Sequence, residues 1–278
     1  MCEACQRLGP VTRKRLAQKR RFPAEVRSAL SDFEDEFGTL SDRMRDRLAD
    51  AVIARDITES GDIGAAVRNV LAEDREELRV VLAEGATNGA DAGRRMASRR
   101  FDLDIDFDTL PQSTLDELTG FVDDVNDDVL DTIGDGVERT LEEAFEEGLD
   151  RDAVADIMRE QLDNELGEAA AQRHGRTLVQ GASERGNHSA MRESSAIGER
   201  WVVTSDGRER DTHAEADGQI VGFDTDFIVG DGRLEHPGDP AGPIEEIAMC
   251  RCTAVPVFED DVTQDEAATL RSGGRLNA

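Results

Sequence analysis

From Leu115 to Phe145 the apolar residues return every three or four positions: Leu115, Leu118, Phe121/Val122, Val125, Val129, Ile133, Val137, Leu141 and Phe145. Only an α-helix puts that spacing on one face, and about ten turns are needed to carry it. A stripe this long must be buried against other helices, and the sequence supplies them. Pro23 opens a helix carrying Val26, Leu30, Phe33 and Phe37; Gly38 reads as its stop, and Ser41 as the N-cap of a second helix with Met44, Leu48, Val52 and Ile53. From Asp62 a single long helix is expected through Ile63, Val67, Val70, Leu71, Leu78, Val81 and Leu82, weakening near Gly85, Gly89 and Gly93. Gly148 ends the Leu115–Phe145 helix, Asp150 or Asp152 starts a short one, and a last helix covers about 166–191. His174 and His188 on that helix read as polar-face or packing residues.

Twice the period changes. Phe101, Leu103, Ile105 and Phe107 alternate with Asp, which predicts an extended segment at about 101–108 with one buried face. After Gly198 short β-branched runs stand between Gly, Asp and Pro turns: Trp201–Thr204, Gln219–Phe223, Phe227–Val229 and Thr253–Phe258. The expected fold class is α+β: a basic N-terminal arm over 1–22, a mostly helical region over 23–195, a small α+β module over 196–258, and an acidic, flexible tail over 259–278.

Charge narrows the setting. The chain has 62 Asp+Glu against 33 Lys+Arg, a net charge of −29, and its only lysines are Lys14 and Lys19. Such self-repulsion is tolerable where salt screens it, so the composition points to a halophile, an archaeon or one of its viruses. With 38% hydrophobic residues in regular periods, packing is favoured over disorder. No apolar run reaches the roughly 18 residues a membrane span needs, and no signal-peptide core follows the basic N-terminus. The arm itself holds Arg13, Lys14, Arg15, Lys19, Arg20 and Arg21. Such a block contacts nucleic acid or an acidic protein surface, or else is a solvated tail.

The four cysteines come as two close pairs, Cys2/Cys5 and Cys250/Cys252, which in a reducing cytosol suggests metal binding or redox work. On a strand, Cys250 and Cys252 share a face while Arg251 points away. His213, in a polar loop, can reach the same place, giving three of the four ligands of a structural zinc. The fourth is open among Asp211, Asp217, Cys2, Cys5 and water. A C-x-C pair alone is a weak zinc signal, and reduced core thiols are the bland alternative. Asp206, Arg208, Arg210 and Asp217 interleave charges that can lock a loop, and Asp206 or Asp217 would pair with a buried Arg251. No oxyanion hole, phosphate loop or matched acid–base pair accompanies His213, so the expectation is a non-enzyme without a small-molecule substrate.

Together these residues resemble the C-terminal domain of phage head morphogenesis proteins, the minor head protein family named for protein F of phage Mu. The match runs through Trp201, Thr204, Asp206, Arg208, Arg210, His213, Asp217, Gly218, Gln219 and Val221, then Pro237 to Pro240, then Cys250, Arg251 and Cys252. It extends more weakly upstream, where Arg176-Thr177 falls at a frequent Arg-Thr-Glu of relatives, Val179 departs from a Glu, and Met249 stands where relatives carry Asn or His. Some relatives have a Cys pair in place of Arg210 and His213, which favours His213 as a ligand. The resemblance implies a minor capsid protein of a tailed double-stranded DNA virus. It would be portal-associated or bound to the major capsid protein inside the virion, assembled in the host cytoplasm, and active in head assembly, DNA packaging or ejection. Two alternatives belong to other classes: a metal-dependent hydrolase or toxin-like effector using His213 and the Cys pair, and a nucleic-acid-binding regulator using the arm and Cys2/Cys5.

Overall fold

In the computed structural model the long stripe is one unbroken helix. The structure describes residues 23–54, 63–105, 109–205 and 207–276. The element order is α1 (Ala24–Ile53), α2 (Ile63–Ala72), α3 (Arg75–Phe101), α4 (Gln112–Glu146), α5 (Arg151–Leu166), α6 (Glu168–Glu193), β1 (Gly198–Val202), α7 (Asp211–Ala216), β2 (Ile220–Val221), β3 (Phe227–Val229), β4 (Gly232–Leu234), α8 (Ile244–Ile247), β5 (Thr253–Val257), a 3₁₀ turn (Glu259–Asp261), α9 (Gln264–Arg271) and β6 (Arg275–Leu276). Long helices precede a small strand-containing region, so the class is α+β. The basic arm, Cys2, Cys5 and Asp206 lie outside the described residues.

The described residues form two units assembled from interleaved stretches, those within 31–85 with those within 119–175, and those up to 30 with those within 86–118 and 176–276. The helical region expected over 23–195 is therefore not one body, and the C-terminal module shares its unit with parts of α3 and α6.

The first unit is helical. Phe33, Phe37, Leu40, Met44 and Leu48 of α1 are all buried, and the Phe33 and Phe37 rings stack at 5.4 Å. Their spacing of three and four runs straight through Gly38, so the expected stop there is not used. Burial of the stripe outweighs the roughly 1 kcal/mol that an interior glycine costs. Ser41 is consequently a buried helix-interior residue, not an N-cap. The helix expected from residue 62 breaks instead at Glu73–Asp74, where the Asp74 carbonyl accepts the Leu78 N–H and begins α3. No Gly or Pro marks that break. Gly148 (φ 71°) does end α4 as expected, and the Asp150 carboxylate accepts the Ala153 N–H at the start of α5.

In the second unit α3 and α6 cross at glycines. A Cβ on Gly93 would stand 1.8 Å from the Ser183 carbonyl oxygen, and one on Gly186 would stand 1.9 Å from that of Ala90. The expected weakening of the helix near Gly89 and Gly93 is thus replaced by close backbone packing, and α3 continues to Phe101. The predicted extended segment at 101–108 is not a strand over its described residues. Asp102 takes a left-handed conformation (φ 53°) and the Leu103 N–H reaches back to the Ser98 carbonyl, a C-terminal helix cap. Phe101, Leu103 and Ile105 still face one apolar cluster with Ala97, Met191 and Ala254. Alternation gave the buried face, but no partner strand supplies a ladder.

The main sheet has the order β5-β1-β2-β6, antiparallel throughout, with a separate β3-β4 hairpin. β5 is an edge strand, which tolerates Pro256. The tail expected to be flexible is ordered through residue 276: Thr263 and Glu266 form a capping box on α9, Leu270 is buried, and β6 pairs with β2. The sequence Thr263-Gln264-Asp265-Glu266 carried that signal.

Gly93→Ala should lower stability by about 2–3 kcal/mol because the clash is with backbone. Gly120→Ala, in α4 with nothing within 4 Å of the added Cβ, should raise it by about 0.5–1 kcal/mol. Denaturant titration of both variants checks the pair; equal effects would refute the close crossing.

Candidate metal centre

Three donors converge in the module's core. α7 carries His213, the turn after α8 carries Cys250, and Cys252 lies just before β5. All three are buried, and their ligand atoms lie within 4.8 Å of one another. The His213 Nδ1 is 3.2 Å from the Cys252 Sγ and 3.8 Å from the Cys250 Sγ. Zinc bond lengths of about 2.0–2.3 Å set tetrahedral edges of roughly 3.5–3.8 Å, so the set is close to coordinating spacing. The other ring nitrogen, Nε2, is 3.0 Å from Glu246 Oε2, which also accepts the Thr212 hydroxyl at 2.8 Å. A carboxylate behind the imidazole is the arrangement that orients a metal-binding histidine. The Trp201 ring meets His213 edge-on at 5.8 Å and packs against Phe227 in the same apolar cluster as the two thiols.

The two thiols are not equivalent. A hydrogen bond from Cys252 holds the Cys250 thiol down at about 5 against the upward push of burial, and His213 adds to this. The same contact with Cys250, together with burial, pushes Cys252 well up. Cys250 is therefore the more readily ionised of the two, and the thiolate is the form that binds a cation. At His213 burial pulls downward, but the Cys250 contacts outweigh it and the net shift is upward.

Surrounding motif residues position these donors. Arg210 donates to the Ala248 carbonyl at 2.6 Å, Thr204 to the Arg251 carbonyl at 2.6 Å, and Asp217 accepts the Val203 N–H at 3.1 Å. Gly218 takes a φ of 90° and donates its N–H to the Trp201 carbonyl. Gln219 exchanges two hydrogen bonds with the Ile228 backbone. Arg251, which would need a carboxylate partner if buried, is half-buried and lines a cavity with Arg208, Arg210, His213 and Cys252. Met249 has a φ of 52°, rare for a non-glycine residue, and its N–H donates to Thr177 Oγ1 at 3.1 Å.

A second buried network was missed by the sequence reading. Glu184 accepts the Ala254 N–H, the Asn187 amide and the Thr253 hydroxyl; burial pushes its carboxyl up to about 7 despite these donors. His188, expected to be a polar-face or packing residue, is packed inside, with Nδ1 2.8 Å from Glu199 and Nε2 3.3 Å from Glu235. Burial alone would lower His188, but the two carboxylates raise it to about 9, and the same contact holds Glu235 at about 2. Arg185 bridges Glu235 and Glu117, and His236 packs beside His188 at 5.9 Å. Glu184, Asn187 and His188 stand three and four apart on α6, which puts them on one face. Only the identity of that face's neighbour was missing.

Comparison with known families gives one match. The family model described as Phage Mu protein F like protein matches residues 135–255. Residues 135–255 are therefore similar to that family. Curated proteins and solved structures gave no match. Every donor of the candidate centre lies inside the Mu F-like stretch, as do Glu184, His188 and Glu199, whereas α9 and β6 lie beyond it. The left-handed backbone of Met249 has a physical cost, since Asn or Gly adopts it more readily.

Two outcomes follow. Met249→Gly should stabilise the chain by about 1 kcal/mol, read by denaturant titration; a loss of stability would mean that the Met249 side chain outweighs its backbone. For His188, whose pKa rises on folding, the stabilisation is complete below about pH 6.5, the unfolded value, and is lost as pH climbs through about 9. His188→Gln should cost about 3 kcal/mol at pH 6.5, and the gap between variant and parent should shrink toward pH 9.5. A pH-independent gap would show that His188 is neutral in the fold.

Proposed function

We propose that the chain is a minor head protein of a tailed double-stranded DNA virus, one that docks on the portal or inner capsid and aids head assembly, DNA packaging or ejection. The match of residues 135–255 to the Mu F-like family is the observation that carries this reading. The module's chemistry supports a non-enzymatic role: its motif residues hold backbone turns, and the His213–Cys250–Cys252 cluster would hold a structural zinc. That ion would cross-link α7 to the start of β5. The basic residues Arg13, Lys14, Arg15, Lys19, Arg20 and Arg21 would contact an acidic protein surface. DNA is the weaker candidate in high salt, where phosphate contacts fade. No helix among the described residues is long and apolar enough to cross a membrane.

Quantitative mass spectrometry of purified particles tests the placement: a few copies per portal ring are expected, and absence from particles would refute it. Deleting residues 1–22 should lower incorporation. Elemental analysis of the purified chain should find one zinc per chain, lost in Cys252→Ser; a metal-free parent would refute the zinc. A second reading, a metal-dependent hydrolase, is favoured by one feature only: the cluster opens onto a cavity. Turnover of any ester or phosphodiester that His213→Ala abolishes without unfolding the chain would move the assignment there.

A further inference from the structure

The His–Cys–Cys cluster borders a cavity of about 280 Å³ on one side only. His213 and Cys252 line it, and Cys250 does not. Among the described residues the rest of its wall carries four arginines, Arg176, Arg208, Arg210 and Arg251, and one carboxylate, Glu209. In a chain of net charge −29 this is a local reversal of sign, and it comes from separate elements: α6, the loop before α7, and the segment before β5. Guanidinium forks match the oxygens of phosphoryl groups in pairs, and a walled cavity of one sign concentrates the opposite ion.

The donor count points to the same place. Three protein ligands leave a tetrahedral metal one position, normally filled from outside. Among the described residues no carboxylate joins the three donors. Glu246 stands behind the His213 ring on Nε2, Asp217 accepts the Val203 N–H and Glu209 accepts the Gly207 N–H. The side of the cluster that reaches the cavity is that of His213 and Cys252.

We propose that this arginine-lined cavity is a binding site for a phosphate-class oxyanion, which takes the fourth position of a metal held by His213, Cys250 and Cys252. The proposal rests on the metal reading above. With two thiolates and a neutral imidazole a divalent metal is neutral overall, so the arginines supply the charge that holds the anion. The arginines supply the attraction, with or without the metal, and the cluster gives the bound anion its direction. The head protein would then carry an anion-responsive point between α6 and the loop before α7.

The test uses the full chain loaded with cobalt(II) in chloride-free buffer, whose thiolate charge-transfer band reports metal binding and whose visible d–d bands report the fourth ligand. Inorganic phosphate should change the d–d bands saturably. Arg176→Gln and Arg251→Gln, with unchanged circular dichroism, should each weaken that response roughly tenfold, about 1.4 kcal/mol; Arg251→Lys should retain part of it. A nucleoside monophosphate binding more tightly than phosphate would assign the phosphoryl group to a nucleotide; equal affinity would assign free phosphate. Cobalt bound with d–d bands indifferent to phosphate overturns the proposal and leaves the metal centre standing. So does a band change in Asp206→Asn that phosphate does not reproduce in the parent, which would make Asp206 the fourth ligand. Absence of the charge-transfer band instead removes the metal reading. Phosphate calorimetry on the metal-free chain then decides the cavity: heat lost in Arg251→Gln supports it, and no heat overturns it.

Discussion

The outer edge of β5 is closed by a helix. At Ala254 the backbone N–H goes to the Glu184 carboxylate and the carbonyl accepts from the Asn187 amide, so two side chains of α6 take the hydrogen bonds that another strand would have made. An open edge is a template for aggregation, and an unpaired buried backbone group costs about 1–3 kcal/mol. Once that edge is docked, much else follows. The next residue but one before Ala254 is Cys252, so the helix fixes where the C-x-C turn lies. About two turns before Glu184, α6 presents Thr177 to the Met249 N–H and Arg176 to the cavity. One residue after Asn187 comes His188, tied to β1 through Glu199. On the opposite side Gly186 lets α3 approach to backbone contact.

The candidate centre is held by this frame more than by its own donors. Met249 is kept in a left-handed conformation by Thr177, and Arg210 holds the end of α8. Strain of this kind persists where the surroundings over-determine it. The motif residues of the Mu F-like stretch mostly serve that purpose: Asp217, Gly218 and Gln219 satisfy backbone groups of β1 and β3, whereas Arg251 and Arg208 face the cavity. A motif can therefore mark a family strongly while only a few of its members meet a ligand.

What was legible depended on whether the signal was local. The convergence of Cys250, Cys252 and His213 was readable because a C-x-C pair before a strand shares a face and few polar loops lie near. Glu246 was not, since nothing in its sequence ties it to the His213 ring; the link exists only after α8 folds back. Gly38, Gly89 and Gly93 were misread for one reason: glycine's propensity argues for a stop, but a continuous apolar stripe or a close helix neighbour reverses its meaning. The Phe101–Ile105 alternation was a true report of burial and a false one of hydrogen bonding. In α9 the capping box was plain in the residues and was overridden by the acidic composition around it.

By itself, then, the sequence determined the helices with long stripes, the change to β structure after Gly198, the wet acidic faces and the kind of family that residues 135–255 resemble. These depend on interactions between residues a few positions apart, or on a fixed order of side chains. The tertiary structure alone decided that the helical region divides between two units, that α6 stands in for a strand beside β5, that His188 is buried between Glu199 and Glu235, and that four arginines gather at the open side of the thiols. Each of these rests on contacts between residues eleven or more positions apart, and the energy of such a contact depends on burial, which no local pattern specifies.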